Sequence, residues 1–195
     1  MDPGELDRLT ASVYDHLGRM AAEVLLEDPD RLAAAVTVEP GWRPLEEALA
    51  SHRGVIAATG HIGNFELGGR ILARRYSVLD VVKPQSNPLF DRHLDRMRRR
   101  FGIGTVPVDA AGPAVFRHLR RGGVVTLLVD QDAGKAGLRT DFLGRPASTW
   151  PGAARLSLRT GCPVLAMAKR ANTFQVPIVA VLATHPEGEF ATQMT

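Results

Sequence analysis

Short apolar runs that alternate with helical periodicity constrain this chain more than any other feature. Residues 55–58, 78–82, 105–108, 124–129, 164–168 and 176–182 read as strands. Between them, residues 64–73, 89–101, 111–119 and 151–158 place apolar side chains at helical spacing. Strands that alternate with helices of this length build βαβ units and a mostly parallel sheet. The runs are apolar at nearly every position, as a sheet covered on both faces requires. The predicted fold class is therefore α/β, a mostly parallel sheet flanked by helices. Ahead of it, Leu6, Leu9, Val13, Leu17, Met20 and Val24 mark residues 5–26 as an amphipathic helix. Residues 39–44, with two prolines and a glycine, are the nearest thing to a linker. A length of 195 residues fits a single domain, with its α/β core expected over residues 53–184.

Composition removes several classes. With 45% apolar and 23% charged residues the chain is globular rather than disordered. The single cysteine, Cys162, excludes an internal disulfide and a thiolate zinc site, and fits a reducing, cytosolic environment. No run of apolar residues is long enough to span a bilayer. MDPGELDRLT has neither the basic nor the apolar region of a signal peptide. The net charge of +3 permits phosphates, lipid headgroups or acidic carrier proteins as partners without demanding any.

In open α/β sheets, ligands bind beyond the carboxyl ends of the strands. Three predicted strand ends carry polar residues: Gly60-His61, Lys83-Pro84 and Asp130-Gln131-Asp132. They single out His61, Lys83 and Asp130. In GHIGNFE, Glu66 follows His61 by five residues, which on one continuous helix would set the pair about 140° apart. They meet only if His61 lies on the loop and Glu66 in the first turn of the next helix. A carboxylate on one imidazole nitrogen fixes the tautomer and leaves the other nitrogen free to take a proton from a hydroxyl. With six histidines and 21 acidic residues in the chain, this spacing alone is weak evidence, and a loop histidine beside a first-turn carboxylate is the structural alternative.

Other motifs narrow the chemistry. There is no G-x-S-x-G elbow, no phosphate loop and no complete dinucleotide fingerprint. The remaining histidines show no metal-ligand spacing. Arg92, Arg96, Arg98, Arg99 and Arg100 are expected on a solvated helix face opposite Leu94, Met97 and Phe101, or on a surface for anionic headgroups or an acidic carrier protein. With 6% aromatic residues, a nucleic-acid role is not supported. The stretch from Asp130 to Thr149 reads as a long functional loop, with Phe142 and Leu143 in the core and Thr149 as a helix N-cap before Pro151.

Taken together, these segments resemble a known family. GHIGNFE resembles the H-x4-E/D motif of glycerolipid-type acyltransferases, closest to the bacterial lipid A lauroyl and myristoyl acyltransferase branch. VVKPQSNPLFDRHLDRMRRRFG and VVTLLVDQDAGKAGLRTDFLGRPASTWPGAARLSLRTGCPVL resemble that branch's second and third blocks, and YDHLGRMAAEVL the stretch upstream of its catalytic domain. The match covers most of residues 10–170. The resemblance implies a glycerolipid-acyltransferase-like fold and transfer of a fatty acyl group from an acyl carrier protein or coenzyme A thioester to a lipid hydroxyl, such as that of a lipid A precursor. It implies His61 as general base and Glu66 as its orienting partner. Asn64, Lys83, Asp130 and Gln131 would bind substrate, with Asp130-Gln131 at the site floor and Lys83 where the family usually has arginine. No metal and no tightly held cofactor is implied. The expected location is the cytoplasmic face of a bacterial inner membrane, in peripheral contact. The family's apolar N-terminal anchor and its C-terminal continuation are not seen in this chain. The alternative from another class is a non-catalytic membrane- or carrier-binding module, and a third reading is hydrolysis with water as acceptor.

Overall fold

The computed structural model describes residues 2–26, 28, 31, 42–51, 54–142, 144–172 and 175–184. The amphipathic helix expected at residues 5–26 is α1, Pro3–Leu26. Half of the expected linker, residues 39–41, lies outside the described residues, as do residue 53 and all beyond 184. A helix that the sequence reading does not anticipate, α2 (Arg43–Ser51), follows. The core then runs β1 (Val55–Thr59), α3 (Phe65–Ala73), β2 (Val78–Val82), α4 (Pro88–Arg100), β3 (Ile103–Pro107), α5 (Ala111–Arg120) and β4 (Val124–Leu128). A hairpin of β5 (Leu138–Phe142) and β6 (Arg145–Thr149) precedes α6 (Gly152–Thr160), β7 (Val164–Asn172) and β8 (Gln175–Thr184).

The main sheet has the order β3-β2-β4-β1-β7-β8. Its first five strands are parallel and β8 pairs antiparallel with β7. The α/β reading therefore holds. Strand alternation divides the core in two. On one face, Val55, Val78, Ile103, Val124 and Leu165 pack with Leu45 of α2 and Leu72 of α3. On the other, Ile56 and Val125 meet Val115 and Leu119 of α5 and Ala153 of α6. Several of these side chains, such as Leu45, Ile56, Leu119 and Leu165, are almost wholly removed from water, each burial contributing roughly 1.5–3 kcal/mol.

This topology locates the site. β1 leads through α3 to β2 on one side of β4, whereas β4 leads through α6 to β7 on the far side of β1. The neighbours β1 and β4 thus send their connections in opposite directions and over opposite faces, which opens a crevice beyond their carboxyl ends.

Three local expectations are corrected. The stretch from Asp130 to Thr149 is not a plain loop, because most of it forms the β5–β6 hairpin. Phe142 is 62% exposed rather than in the core, since that hairpin stands outside the sheet, and Leu143 lies outside the described residues. Thr149 does not cap α6. It ends β6, and its hydroxyl meets that of Thr140 at 2.6 Å, while Pro151 holds the cap position without a side-chain bond.

Candidate active site

The register of the sheet brings His61 to Asp130. Thr59 pairs with Leu128 across the parallel β1–β4 ladder, and the Val129 N–H donates to the Thr59 carbonyl at 2.9 Å. Residues at equal offsets beyond parallel strands lie side by side, about 4.8 Å apart. His61 and Asp130 stand at equal offsets, and the Asp130 carboxylate uses both oxygens. Oδ2 accepts the His61 backbone N–H at 2.6 Å, and Oδ1 meets the ring Nδ1 at 2.9 Å. A carboxylate accepts, so in the neutral ring this contact favours the tautomer with the hydrogen on Nδ1 and the lone pair on Nε2. Phe65, the first residue of α3, packs against the imidazole edge to face, with centroids 4.9 Å apart. The His61 side chain is 38% exposed, and no protein group bonds its second nitrogen among the described residues.

Glu66 does not make the expected bond to His61. Its carboxylate is held by Arg98 of α4, through Nη2 and through Nε at 3.2 Å. Both side chains are largely buried, Glu66 at 10% and Arg98 at 16% exposure. Asp80 of β2 lies 3.9 Å from Arg98 and accepts the Thr126 hydroxyl from β4. Burial works against charge on Arg98, yet Glu66, Asp80 and Asp95 together raise its pKa above the usual arginine value. Burial raises the Asp80 carboxyl above the ordinary aspartate range, with the Thr126 hydroxyl and Arg98 opposing it. Arg98 was expected on a solvated face with the other arginines of α4. It turns inward instead, because two carboxylates from neighbouring elements face it.

The other predicted residues fall out as follows. Asn64 is 2% exposed. It caps α3, its Oδ1 accepting the Leu67 N–H at 2.9 Å, and its Nδ2 donates to Glu23 of α1 at 2.8 Å. Both polar groups are thus engaged inside the fold rather than offered to a substrate. Lys83, just past β2, and Gln131, just past Asp130, are exposed at the same carboxyl edge as His61.

Sequence reasoning missed a groove. It runs under α3 on the face shared with α2, and Phe65 joins it to the histidine. Its lining is mostly apolar, with Trp42, Ile71, Leu128 and Met167 among its walls, and the Glu66–Arg98–Asp80 cluster forms one side. Gly68 and Gly69 of α3 also line it. A side-chain carbon added at Gly68 would meet nothing within 4 Å, so the glycine leaves the groove open. The Gly-Gly pair inside a helical segment was the available signal, since glycine there costs about 1 kcal/mol per residue relative to alanine.

Fold and site together define an α/β protein with a histidine–aspartate pair at the strand-end crevice, opening beside an apolar groove. Comparison with known proteins makes this more specific. Residues 7–193 match the bacterial lipid A biosynthesis acyltransferases, and the chain belongs to that family. It is 31% identical to phosphatidylinositol mannoside acyltransferases from two strains of Mycobacterium tuberculosis, over 64% of this chain and 41% of theirs. A phosphatidylinositol mannoside acyltransferase of Mycolicibacterium smegmatis is 25% identical over 82% of this chain and 54% of its own. The chain thus spans about half the length of these relatives. Among the described residues, no helix is long and apolar enough to cross a membrane.

Proposed function

We propose that this chain transfers a fatty acyl group from an acyl carrier protein or coenzyme A thioester to a lipid hydroxyl. The observation that carries the reading is the His61–Asp130 pair beside the apolar groove, to which Phe65 joins it. The acceptor oxygen attacks the thioester carbonyl carbon while His61 Nε2 takes its proton. The tetrahedral oxyanion collapses, the carbon–sulfur bond breaks, and the thiol leaves with the proton returned by His61. General-base assistance of this kind is worth about 10²–10⁴-fold. The N–H groups of Phe65 and Glu66, ahead of the Leu67 N–H that Asn64 caps, are suited to stabilise the oxyanion. The groove takes the acyl chain, and no step calls on a metal or a tightly held cofactor.

In this reading Asp130 orients His61, and Glu66 holds α3 to α4 through Arg98. Lys83 and Gln131, exposed at the same edge, receive the polar parts of donor or acceptor. Acyl transfer to a lipid places the chain at a membrane surface, the cytoplasmic face of the inner membrane. The names of the relatives make mannosylated phosphatidylinositol an acceptor to test beside lipid A precursors and lysophospholipids.

The test is transfer from labelled acyl-carrier-protein and acyl-coenzyme A to that panel. His61→Ala and Asp130→Asn should each lose at least about 10²-fold in kcat. Glu66→Gln should keep more activity than Asp130→Asn but unfold more easily. The reverse ranking of Asp130→Asn and Glu66→Gln would return the orienting role to Glu66. Full activity of His61→Ala would refute the mechanism.

A further inference from the structure

The hairpin between β4 and α6 takes no part in the site described above, yet it is anchored beside it. The Ala133 N–H, three residues past Asp130, donates to the Ser148 carbonyl at 3.1 Å, and the Ser148 hydroxyl donates to the Gly134 carbonyl at 2.7 Å. Ser148 shares its side of the ladder with Arg139, and its bond ties the Ser148 end of that side to Gly134 while Arg139 stays exposed. The opposite side carries Leu138, Thr140, Phe142 and Ala147. Leu138 is 53% exposed and Phe142 62% exposed. The two threonine hydroxyls on this side, Thr140 and Thr149, bond to each other. An exposed apolar face whose hydroxyls are engaged with each other costs less to bury than one whose hydroxyls bond only water.

Charge identifies what covers it. From Gly134 to Thr149 there are three cations, Lys135, Arg139 and Arg145, against one acid, Asp141. The Asp141 carboxylate is itself engaged by the Gly144 N–H in the turn. Arg145 stands opposite Phe142 at the tip. Cations flanking an aromatic and aliphatic face match the boundary between anionic headgroups and acyl chains. A second copy of this net-cationic chain would oppose like charge to like. The same edge of the sheet exposes Ile62 beside His61 and Trp150 just past β6.

We propose that the Leu138–Phe142 face of the β5–β6 hairpin docks on an anionic lipid bilayer and turns the crevice toward it. The proposal rests on the acyltransferase reading for its purpose, because a lipid acceptor and an acyl chain both reach the groove from a membrane. Its test does not depend on catalysis. The purified chain is sedimented with vesicles of phosphatidylcholine, with and without phosphatidylglycerol, in the absence of acyl donor. The parent should bind the phosphatidylglycerol vesicles preferentially. Leu138→Ser/Phe142→Ser should weaken that binding about tenfold or more. Arg139→Gln/Arg145→Gln should flatten its salt dependence. Both pairs lie on the surface, so circular dichroism and urea midpoints should match the parent. Transfer to a detergent-dispersed acceptor should also stay at the parental rate, whereas failure of the acyltransferase reading would abolish transfer in every form and leave vesicle binding intact. Parental vesicle binding by Leu138→Ser/Phe142→Ser would overturn the proposal. So would a parent that self-associates through this face, seen as an oligomer in sedimentation equilibrium that the serine pair disperses.

Discussion

A single missing side chain lets His61 and Asp130 meet. A Cβ on Gly60 would stand 2.8 Å from Asp130 Oδ2 and 2.9 Å from its Cγ, so the carboxylate occupies the space that alanine would need. Gly60→Ala is therefore expected to push Asp130 off the imidazole and lower kcat about 10²-fold, as a displacement near 1 Å can do. Binding of a thioester substrate should change far less, and a parental kcat would show that the pair tolerates the shift. The sequence marked His61 and Asp130 separately, as polar residues at the ends of apolar runs. It could not pair them, because pairing depends on which strands are neighbours and in what register. Glu66 drew attention through spacing alone, and nothing in that spacing announces Arg98, more than thirty residues away, as its partner. Asn64 shows the same limit, since a cap was legible in principle but the contact with Glu23 of α1 was not.

At the scale of elements, α3 serves as both a wall and a doorway. Its capped N-terminus presents Phe65 to the histidine, and its Gly68-Gly69 pair keeps the helix thin where it crosses the groove. Replacing Gly68 by leucine separates these roles. The position is helical and the space beside it is empty, so the helix should gain roughly 0.5–1 kcal/mol in propensity. Thermal unfolding of Gly68→Leu should be unchanged or raised, while transfer of long acyl chains should fall about tenfold and that of short chains much less. Equal losses for long and short chains would place the acyl group elsewhere. The β-strands of the main sheet were legible because burial on both faces makes them continuously apolar. The β5–β6 hairpin was not, because its strands mix polar and apolar residues and stand exposed outside the main sheet. The glycine at its turn, Gly144 with φ 74°, was the one sequence sign of a reversal.

At the scale of the whole molecule, the sheet carries an ionisable group where a parallel sheet is otherwise apolar. Asp80 sits on β2 with its side chain 15% exposed, faced by Thr126 from β4, Arg98 from α4 and Glu66 from α3. Desolvation raises its pKa in the folded chain despite help from Thr126 and Arg98. Folding therefore favours its protonated form. The stability it contributes is complete below the aspartate pKa of the unfolded chain, about 4, and is lost as pH rises from there through the higher folded value. Asp80→Asn keeps an acceptor for the Thr126 hydroxyl and removes the charge. Urea midpoints of parent and variant, followed from acid to neutral pH, should hold a constant difference below the unfolded aspartate pKa. Above it the variant should gain on the parent, until the difference levels off once Asp80 is ionised in the folded chain too. A difference that moves against the variant with rising pH would mean that the attraction to Arg98 outweighs burial. Asp80 would then be a stabilising anion within the Glu66–Arg98 cluster. The expected direction instead makes this acidic corner a cost to the fold, retained beside a groove that substrate must enter.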